Sequence, residues 1–426
     1  MNTRSIRKYL AVSAVAVMSM GALSACSAGD GDSADGVTTL TFWHNGTADP
    51  ILSIWQDAVD EYEAANPDIK IDVVPIQNED FLTKIPLALS SDNPPDIYFN
   101  QGGGLLATQV QSGQVADITE LTSGWIDELG AAAGNWSVDG VQYGVPYASQ
   151  VVGFWYRTDL FAQAGITATP TTLDELNDAV DKLKAAGIAP IAVGGKDRWP
   201  DAFYYNTFAV RECGEDVLKK GLVDADLSDD CFTKAGQDVI DFLATEPFQE
   251  GFNGTPAQQG AGSSAGLVAN GQAAMELQGT WDKSVMQGLT DTDLDPLLGW
   301  FPFPSVEGGD GDASATLGGG DGFSCTQEHA AECVDFLEFL SGDDIQTKLV
   351  ESQVVAIPVK AAASSAITDP VVKSIYDFNS EAAYVQTYFD VALPTGVGSA
   401  LNDAGANLFA GQGTAESVAE AVEAAK

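Results

Sequence analysis

The sequence predicts an α/β protein in which helices cover both faces of a sheet. Strand-like runs alternate with helical patterns in the N-terminal part, and this alternation is typical of β-α-β units. The 426 residues are 45% Ala, Val, Ile, Leu, Met, Phe, Trp, Tyr and Cys, which is enough to build real cores and argues against disorder. The length favours two or three domain-sized units.

The first β-α-β unit begins with a β-rich run at residues 38–45. Apolar side chains then recur at three- and four-residue steps, as on one face of a helix. These apolar residues are Ile51, Ile54, Trp55, Ala58 and Tyr62. A β-branched run at 69–76 follows, so we expect two parallel strands with the helix packed over them.

Alternation continues further along the chain. We expect a helix at 79–91 that is interrupted near Pro86, a strand at 96–100, and a helix that begins in "GGGLLATQVQSG". Residues 140–161 form a long β-rich stretch that can cross from one unit to another. A helix at 171–187 and a strand at 188–195 come next, and residues 200–290 are expected to be mostly helical.

The Gly-rich segment at 308–322 is predicted to be a loop. Its glycines resemble those of phosphate-binding loops. However, the segment contains no GxxxxGK[ST] pattern and has no Lys or Arg nearby, so we do not expect a phosphate site.

The N-terminus has the pattern of an export signal. Arg4, Arg7 and Lys8 precede an apolar run at 10–22 that is too short to span a bilayer. "LSAC" then resembles the bacterial lipobox, which predicts a signal peptide at 1–25, a lipidated Cys26 and a flexible tether over 26–36. The alternative is an ordinary signal peptide followed by a chance cysteine.

The net charge of the chain limits which binding partners are expected. With 61 acidic and 19 basic residues, the net charge is −42, which disfavours nucleic acid and anionic lipid surfaces as partners.

Four cysteines remain after Cys26 and allow three disulfide connectivities. Export favours disulfides, and we favour the sequence-near pairs Cys213–Cys231 and Cys325–Cys333. Zinc is the competing interpretation, but there is no CxxC and there are only two histidines, so no metal or cofactor is expected.

Several local patterns together resemble the solute-binding lipoproteins of ATP-binding-cassette sugar importers, in the class that includes maltose-binding protein. They are "TLTFWHN", "IKIDVVPIQNEDF", "NPPDIYF", "YGVPYASQVVGFWYRTDLF", "ANGQAAMELQGTWD" and "GGGDGF". The resemblance covers nearly the whole chain after Cys26.

The resemblance implies a two-lobe fold of the periplasmic-binding-protein type, with a hinge and a ligand cleft between the lobes. The N-terminal lobe would comprise residues 37–148 and 317–355, and the C-terminal lobe residues 153–314 and 358–426. The crossings would lie near 148–153, 314–317 and 355–359.

Polar groups at the ends of the predicted strands are the first site candidates. In α/β sheets ligands bind beyond the carboxyl ends of the strands. This rule selects Trp43, His44 and Asn45 after the first strand, Asn78 and Glu79 after the second, and Asn100 and Gln101 after the third. Such amide and acidic groups hydrogen-bond sugar hydroxyls, and aromatic faces cover the C–H surfaces of sugars.

The resemblance implies further contacts. Trp281 in "LQGTWD" matches the segment in which the family carries a sugar-stacking tryptophan, and Gln150 matches a polar contact on a crossing segment. The remaining candidates are Trp199, Asp201 and Tyr204 in "KDRWPDAFYY", and Asp321 in "GGGDGF". For each aromatic residue the alternative is packing in the core, and for Asp321 it is a structural turn.

The resemblance implies capture of an oligosaccharide for import, without catalysis. The protein would be a monomer anchored by lipid to the outer face of the cell membrane, and lobe closure would deliver the sugar to permease subunits. We expect a β-linked xylo- or gluco-oligosaccharide. The alternatives are a peptide- or polyamine-binding importer component and a cell-surface glycoside hydrolase, since acidic pairs are easily found among 61 carboxylates.

Overall fold

The computed structural model describes residues 36–426. The predicted signal peptide, Cys26 and the tether up to residue 35 lie outside the described residues. Within 36–426, no helix has the length and apolar character required to cross a bilayer.

Twelve strands, β1 to β12 in chain order, lie within residues 36–426. They are β1 Thr38–His44, β2 Ile69–Pro75, β3 Ile97–Asn100, β4 Ser137–Val138, β5 Val141–Gln142, β6 Gly144–Arg157, β7 Ala189–Ala192, β8 Ala273–Gly279, β9 Leu298–Pro302, β10 Thr316–Cys325, β11 Ile357–Pro358 and β12 Val385–Thr387.

Seventeen α-helices, α1 to α17 in chain order, lie within the same described residues. They are α1 Ile51–Ala65, α2 Asn78–Leu89, α3 Gly103–Val110, α4 Thr119–Thr122, α5 Thr158–Gln163, α6 Leu173–Ala185, α7 Trp199–Glu212, α8 Glu215–Val223, α9 Asp230–Ala244, α10 Ser264–Ala269, α11 Asp282–Gly288, α12 Ala330–Leu340, α13 Asp343–Glu351, α14 Pro370–Glu381, α15 Phe389–Ala392, α16 Thr395–Phe409 and α17 Ser417–Ala424. Short 3₁₀ segments lie at Ile126–Trp136, Gly195–Asp197, Phe252–Gly254 and Ala361–Ala366.

One long strand joins the two halves of the main sheet, whose order is β2-β1-β3-β10-β6-β8-β7. β1 is parallel to β2 and to β3, as the first β-α-β unit predicts. The first half of β6 pairs with β10, where Val151 lies opposite Gly318, and its second half pairs with β8, where Val152 lies opposite Gly279. β6 is therefore the crossing strand that the β-rich stretch at 140–161 predicts.

The buried side chains form separate cores on the two halves of this sheet. The core of the N-terminal lobe draws on residues 40–148 and 323–359. That of the C-terminal lobe draws on residues 152–317 and 388–422, and a third cluster containing Val151, Trp155 and Ile375 packs beside it. The fold is the predicted two-lobe α/β architecture. The exact lobe boundaries stay a prediction.

Two local expectations differ from the structure. The Gly-rich segment is not all loop, because Thr316–Cys325 forms β10. A Cβ on Gly319 would lie 2.4 Å from the ring of Tyr388, so glycine here allows an aromatic ring to pack directly on a strand. The second difference is α2, which continues through Pro86 without interruption. Residues 200–290 are mostly helical, as predicted, and also contain the buried strand β8.

Both predicted disulfides are confirmed. Cys213 is bonded to Cys231 and Cys325 to Cys333. The first links the end of α7 to the start of α9, and the second links the end of β10 to α12. Each bridge stabilises one lobe without crossing between lobes.

Candidate functional site

A cavity of about 860 Å³ lies where the two lobes face each other. Side chains that follow the carboxyl ends of three parallel strands line one wall: Asn45 after β1, Asn78 and Glu79 after β2, and Gln101 after β3. The opposite wall comes from the segments around α7, α11, α15 and α16. The rule that ligands bind beyond strand carboxyl ends therefore selects the same place as the cavity.

Most of the predicted site residues lie on the cavity wall. Those that line it are Asn45, Asn78, Glu79, Asn100, Gln101, Gln150, Trp199, Trp281 and Asp321. Residues 199, 281 and 321 reach this wall from a helix, a turn and a strand that are far apart in the sequence. Ligand binding by these residues stays a prediction.

On β1, the predicted candidates Trp43 and His44 do not line the cavity. Trp43 packs against the N-terminal core. His44 is fully buried, and its Nδ1 accepts a hydrogen bond from the amide of Gly46 at 3.1 Å. Burial lowers the pKa of His44 to about 4, so the ring is neutral near pH 7. Both are therefore structural residues here, with Asn45 the first residue of this segment to face the cavity.

On α7, Asp201 and Tyr204 also lie away from the cavity. The segment expected to be a loop is helical from Trp199, so Trp199 and Phe203 share one face while Asp201 and Tyr204 point elsewhere. Tyr204 is fully buried, with its ring 5.1 Å from that of Phe248. Asp201 is 1% exposed, and burial raises its pKa to about 8. The helical period decides which residues of this segment reach the site. Because the segment was predicted to be a loop, this period was not applied to it.

Trp281 stands at the centre of an aromatic wall. Its indole lies directly over Gly279, where a Cβ would come within 1.9 Å of the ring. Its ring centroid is 6.3 Å from that of Trp199 and 6.3 Å from that of Tyr388. Phe203 stacks on Tyr388 at 5.3 Å. The arrangement provides adjoining apolar ring surfaces beside polar groups, as sugar-binding sites require.

Sequence reasoning missed Tyr388 and Phe203. The i, i+4 spacing from Trp199 would have identified Phe203 if the segment had been recognised as a helix. No sequence pattern points to Tyr388, which reaches the cavity from the segment between β12 and α15.

On the cavity wall, Gln150 of β6 connects to β10 and to the turn that follows β8. Its Nε2 donates to Oδ2 of Asp321 at 3.0 Å, and its Oε1 accepts from the hydroxyl of Thr280. Burial raises the pKa of Asp321 to about 6, while hydrogen bonds from Gln150 and Gln101 act in the opposite direction. The contacts link β6 to β10 and to the residue that follows β8, at the point where the lobes join.

Asp390, Asn402 and Tyr388 form a second polar group on the wall. Nδ2 of Asn402 donates to Oδ2 of Asp390 at 2.8 Å. Oδ1 of Asn402 and the hydroxyl of Tyr388 are buried and have no hydrogen-bond partner among the described residues. The negative charges of Asp321 and Asp390 add to burial in raising the pKa of Tyr388, which places its hydroxyl in the field of both carboxylates.

One side chain joins the two edges of the cavity opening, called here the lips. One lip is the segment before α10, and the other is the start of α2. Nε2 of Gln259 donates to Oε1 of Gln77 at 3.3 Å and to Oε2 of Glu79 at 3.2 Å. Burial raises the pKa of Glu79, and the charge of Asp197 acts in the same direction. Gln259 thus links the segment before α10 to the start of α2.

Within residues 36–426, no group of three or more His, Cys, Asp or Glu side chains is arranged to hold a metal ion. The cavity wall itself presents stacking surfaces, hydrogen-bonding groups and charged side chains. These properties suit a polar organic molecule with apolar faces.

Residues 46–347 match the family described as bacterial extracellular solute-binding protein. One similar relative, an uncharacterized extracellular-binding protein of an ATP-binding-cassette transporter from Pyrococcus horikoshii, is 27% identical over 60% of this chain and 59% of its own length. The chain therefore spans less than two thirds of that relative. The diacetylchitobiose binding protein DasA of Streptomyces coelicolor is 27% identical over 70% of this chain and 69% of its own length.

A solved structure from work on xylan utilization by the thermophilic bacterium Caldanaerobius polysaccharolyticus has the same fold. It superposes with a TM-score of 0.84 and 26% identity, over 91% of this chain and 99% of the other.

Proposed function

The chain belongs to the bacterial extracellular solute-binding protein family, and from that membership we propose that it captures an oligosaccharide for an ATP-binding-cassette importer. The observation that carries the proposal is the cavity between the lobes, which combines an aromatic wall with enclosed hydrogen-bonding groups. Its volume of about 860 Å³ lies in the range of small-molecule sites.

The aromatic wall supports a sugar over a peptide. A pyranose ring presents C–H faces that an indole can cover, and hydroxyl edges that bond to planar amides and carboxylates. Trp281, Trp199 and Tyr388 supply the ring surfaces, while Asn45, Gln101 and others supply the polar edge.

We infer a β-linked xylo- or gluco-oligosaccharide as the ligand. The similarity to a structure from work on xylan utilization favours the xylo-oligosaccharide. The relative named for binding diacetylchitobiose supports a ligand built of gluco-type rings, which in that disaccharide carry N-acetyl groups.

Capture proceeds by closure of the lobes about the crossing segments near 148–153, 314–317 and 355–359. We propose that the N-terminal lobe comprises residues 37–148 and 317–355 and the C-terminal lobe residues 153–314 and 358–426. The closed lobes present a changed surface to the permease. Gln259 supports this mechanism, since its bonds to Gln77 and Glu79 connect opposite lips.

The family name supports a location outside the cytoplasm. We propose further that Cys26 carries lipid, that the lipid holds a monomer at the outer face of the membrane, and that the protein binds sugar without cleaving it. Two acyl chains or more are needed for stable anchoring, which the lipobox modification would provide.

The decisive experiment is a calorimetric screen of xylo-, gluco-, malto- and galacto-oligosaccharides, with peptides and spermidine as controls. We expect a dissociation constant in the micromolar range or below, about −8 kcal/mol, for a β-linked sugar. Incubation with each sugar followed by chromatography tests for hydrolysis. Binding to a peptide alone would contradict the proposal and indicate a peptide-binding component. Release of smaller sugars would contradict it and indicate a glycoside hydrolase.

A further inference from the structure

We propose that the glycines at the start of α3 position part of the cavity wall, by letting α15 pack main chain against main chain on α3. This packing, called here the joint, consists of residues 103–108 and 391–395. The joint stays assembled when the lobes open, and the lip contacts of Gln259 separate instead. The inference rests on the proposed function, because it concerns how the lobes move around a sugar.

The joint connects the cores of the two lobes outside the proposed crossing segments. On one side of the joint, α3 buries Leu106 in the core of the N-terminal lobe. On the other side, α15 buries Phe389 and Val391 in the core of the C-terminal lobe. The packing of α3 on α15 is therefore a contact between the lobes.

The close approach of the two segments requires glycine. A Cβ on Gly103 would lie 2.8 Å from the carbonyl oxygen of Val391, and a Cβ on Gly104 would lie 2.4 Å from that of Ala392. Both oxygens belong to the main chain, which cannot turn aside as the end of a flexible side chain can. Gly103 also has a φ of +60°, in the left-handed region that glycine adopts without strain. The glycines of "GGGLLATQVQSG" thus have a packing role between the lobes.

Hydrogen bonds hold the segments of the joint together. The amide of Thr395, at the start of α16, donates to Oγ1 of Thr108 at 3.3 Å, and this hydroxyl donates to the carbonyl of Gly104 at 2.9 Å. In the loop that leads into α3, Oδ1 of Asn100 accepts a hydrogen bond from the amide of Gly102 at 2.7 Å. The loop, α3 and the start of α16 therefore form one hydrogen-bonded unit.

The lips are held less firmly than the joint. Gln259 and Gln77 are exposed, and the lip contacts run through the flexible side chain of Gln259. In the joint, by contrast, Val391 is 6% exposed and Leu393 is fully buried. Exposed side-chain contacts open at a low free-energy cost, whereas main-chain packing beside a core opens only when that core is disturbed. Opening of the lobes therefore separates the lips and keeps the joint.

The joint carries part of the cavity wall. Leu105, Val391 and Thr395 line the cavity, and Tyr388 stands just before α15 with its ring against Gly319. Because the joint does not open, this part of the wall is already formed in the open protein, and the sugar contacts it before the lips close. A change that displaces α15 should therefore weaken sugar binding.

A reversible cross-link tests whether the joint opens. Thr108→Cys and Thr395→Cys are introduced together in a Cys26→Ala parent, in which the other four cysteines form the two native disulfides. Calorimetry uses xylotriose as the probe, or cellotriose if the screen favours glucose units. The oxidised protein should bind the probe within about threefold of the reduced protein, and small-angle scattering should still show a smaller radius of gyration with sugar.

The parent protein, oxidised and reduced in the same way, controls for effects on the native disulfides. Loss of binding or of compaction on oxidation of the cross-linked variant alone would overturn the inference, because the joint would then have to open. If the parent binds no sugar at all, both this inference and the proposed function are overturned.

Gly104→Ala provides a test that does not depend on cross-link formation. The added methyl group must push α15 away, so affinity for the probe should fall at least about tenfold, which corresponds to about 1.4 kcal/mol. Gly396→Ala is the matched control, because Gly396 is exposed beside Thr395 and a Cβ there meets nothing within 4 Å. It should leave the affinity unchanged.

Wild-type affinity in the Gly104→Ala variant would overturn the inference while leaving sugar capture intact. If Gly104→Ala fails to fold, the cross-linked variant decides the question, and if the cross-link does not form, Gly104→Ala decides it.

Discussion

Replacing Trp281 by alanine should weaken oligosaccharide binding far more than it weakens the fold. The indole faces the cavity, lies on the backbone at Gly279, and has ring neighbours at 6.3 Å on two sides. A well-packed anchor of this kind commonly contributes about 2 kcal/mol or more to binding, which corresponds to roughly a thirtyfold loss of affinity.

The cost to stability should be smaller. Trp281 is only partly buried at the edge of the C-terminal core, so the loss should remain well below the roughly 3–5 kcal/mol typical of a fully buried tryptophan. We expect about 1 kcal/mol, which for a chain of this size lowers the melting temperature by roughly 2 °C. Calorimetry with the best sugar of the screen and thermal unfolding without sugar measure the two quantities.

A matched control is Trp300, which also lies over a glycine but does not line the cavity. A Cβ on Gly153 would lie 2.4 Å from the Trp300 ring, which packs 5.3 Å from Phe378. Trp300→Ala should cost comparable stability and leave sugar affinity unchanged. Gly279→Ala provides a second test, since the added methyl must displace the indole from its position. A Trp281→Ala variant that binds with wild-type affinity would refute the reasoning.

Three other predictions concern a buried carboxylate, the lips and the anchor. Burial raises the pKa of Glu276 well above its usual range and that of neighbouring Asp282 to about 8, so the folded state holds these protons more tightly than the unfolded state. Their contribution to stability is therefore greatest below about pH 4 and declines as the pH rises toward about 8; Glu276→Gln should flatten this decline in melting temperature. Gln259→Ala should lower sugar affinity about three- to tenfold, mainly through faster dissociation in stopped-flow measurements, because it removes two hydrogen bonds of roughly 0.5–1.5 kcal/mol each. Cys26→Ala should release the protein from the membrane fraction or leave its signal uncleaved, as fractionation and mass spectrometry would detect.

Each of these has a control and a contrary outcome. Glu351→Gln, at an exposed site, should keep the wild-type pH profile, and an identical profile for Glu276→Gln would contradict the burial argument. Gln237→Ala, an exposed glutamine on α9, should dissociate like wild type; unchanged dissociation for Gln259→Ala would show that the lip contacts are dispensable. Membrane retention of a correctly cleaved Cys26→Ala protein would exclude the lipid anchor.

Local patterns in the sequence predicted most elements near the site. The apolar period from Ile51 to Tyr62 predicted α1, and the β-branched run before Gln77 predicted β2. Such patterns involve only a few consecutive residues. The rule that polar groups at strand ends face a ligand likewise depends on only a few consecutive residues. Two of the three predicted positions on the first strand do not line the cavity, because Trp43 and His44 still belong to β1 and its packing.

The sequence by itself determined the α/β class, the alternation of elements and the polar groups that follow β1, β2 and β3, because each depends on local periodicity. It favoured the two disulfide pairs that the structure shows over the other connectivities, because each pair is close in the sequence. The tertiary structure decided that Tyr388 and Asn402 share a cavity with Asp321, and that Trp199 faces it while Tyr204 does not. Those facts depend on helix phase and on packing between segments distant in the chain. A short sequence pattern does not predict which side chains will be covered by a neighbouring strand. It also does not predict which side chains will remain exposed to the cavity.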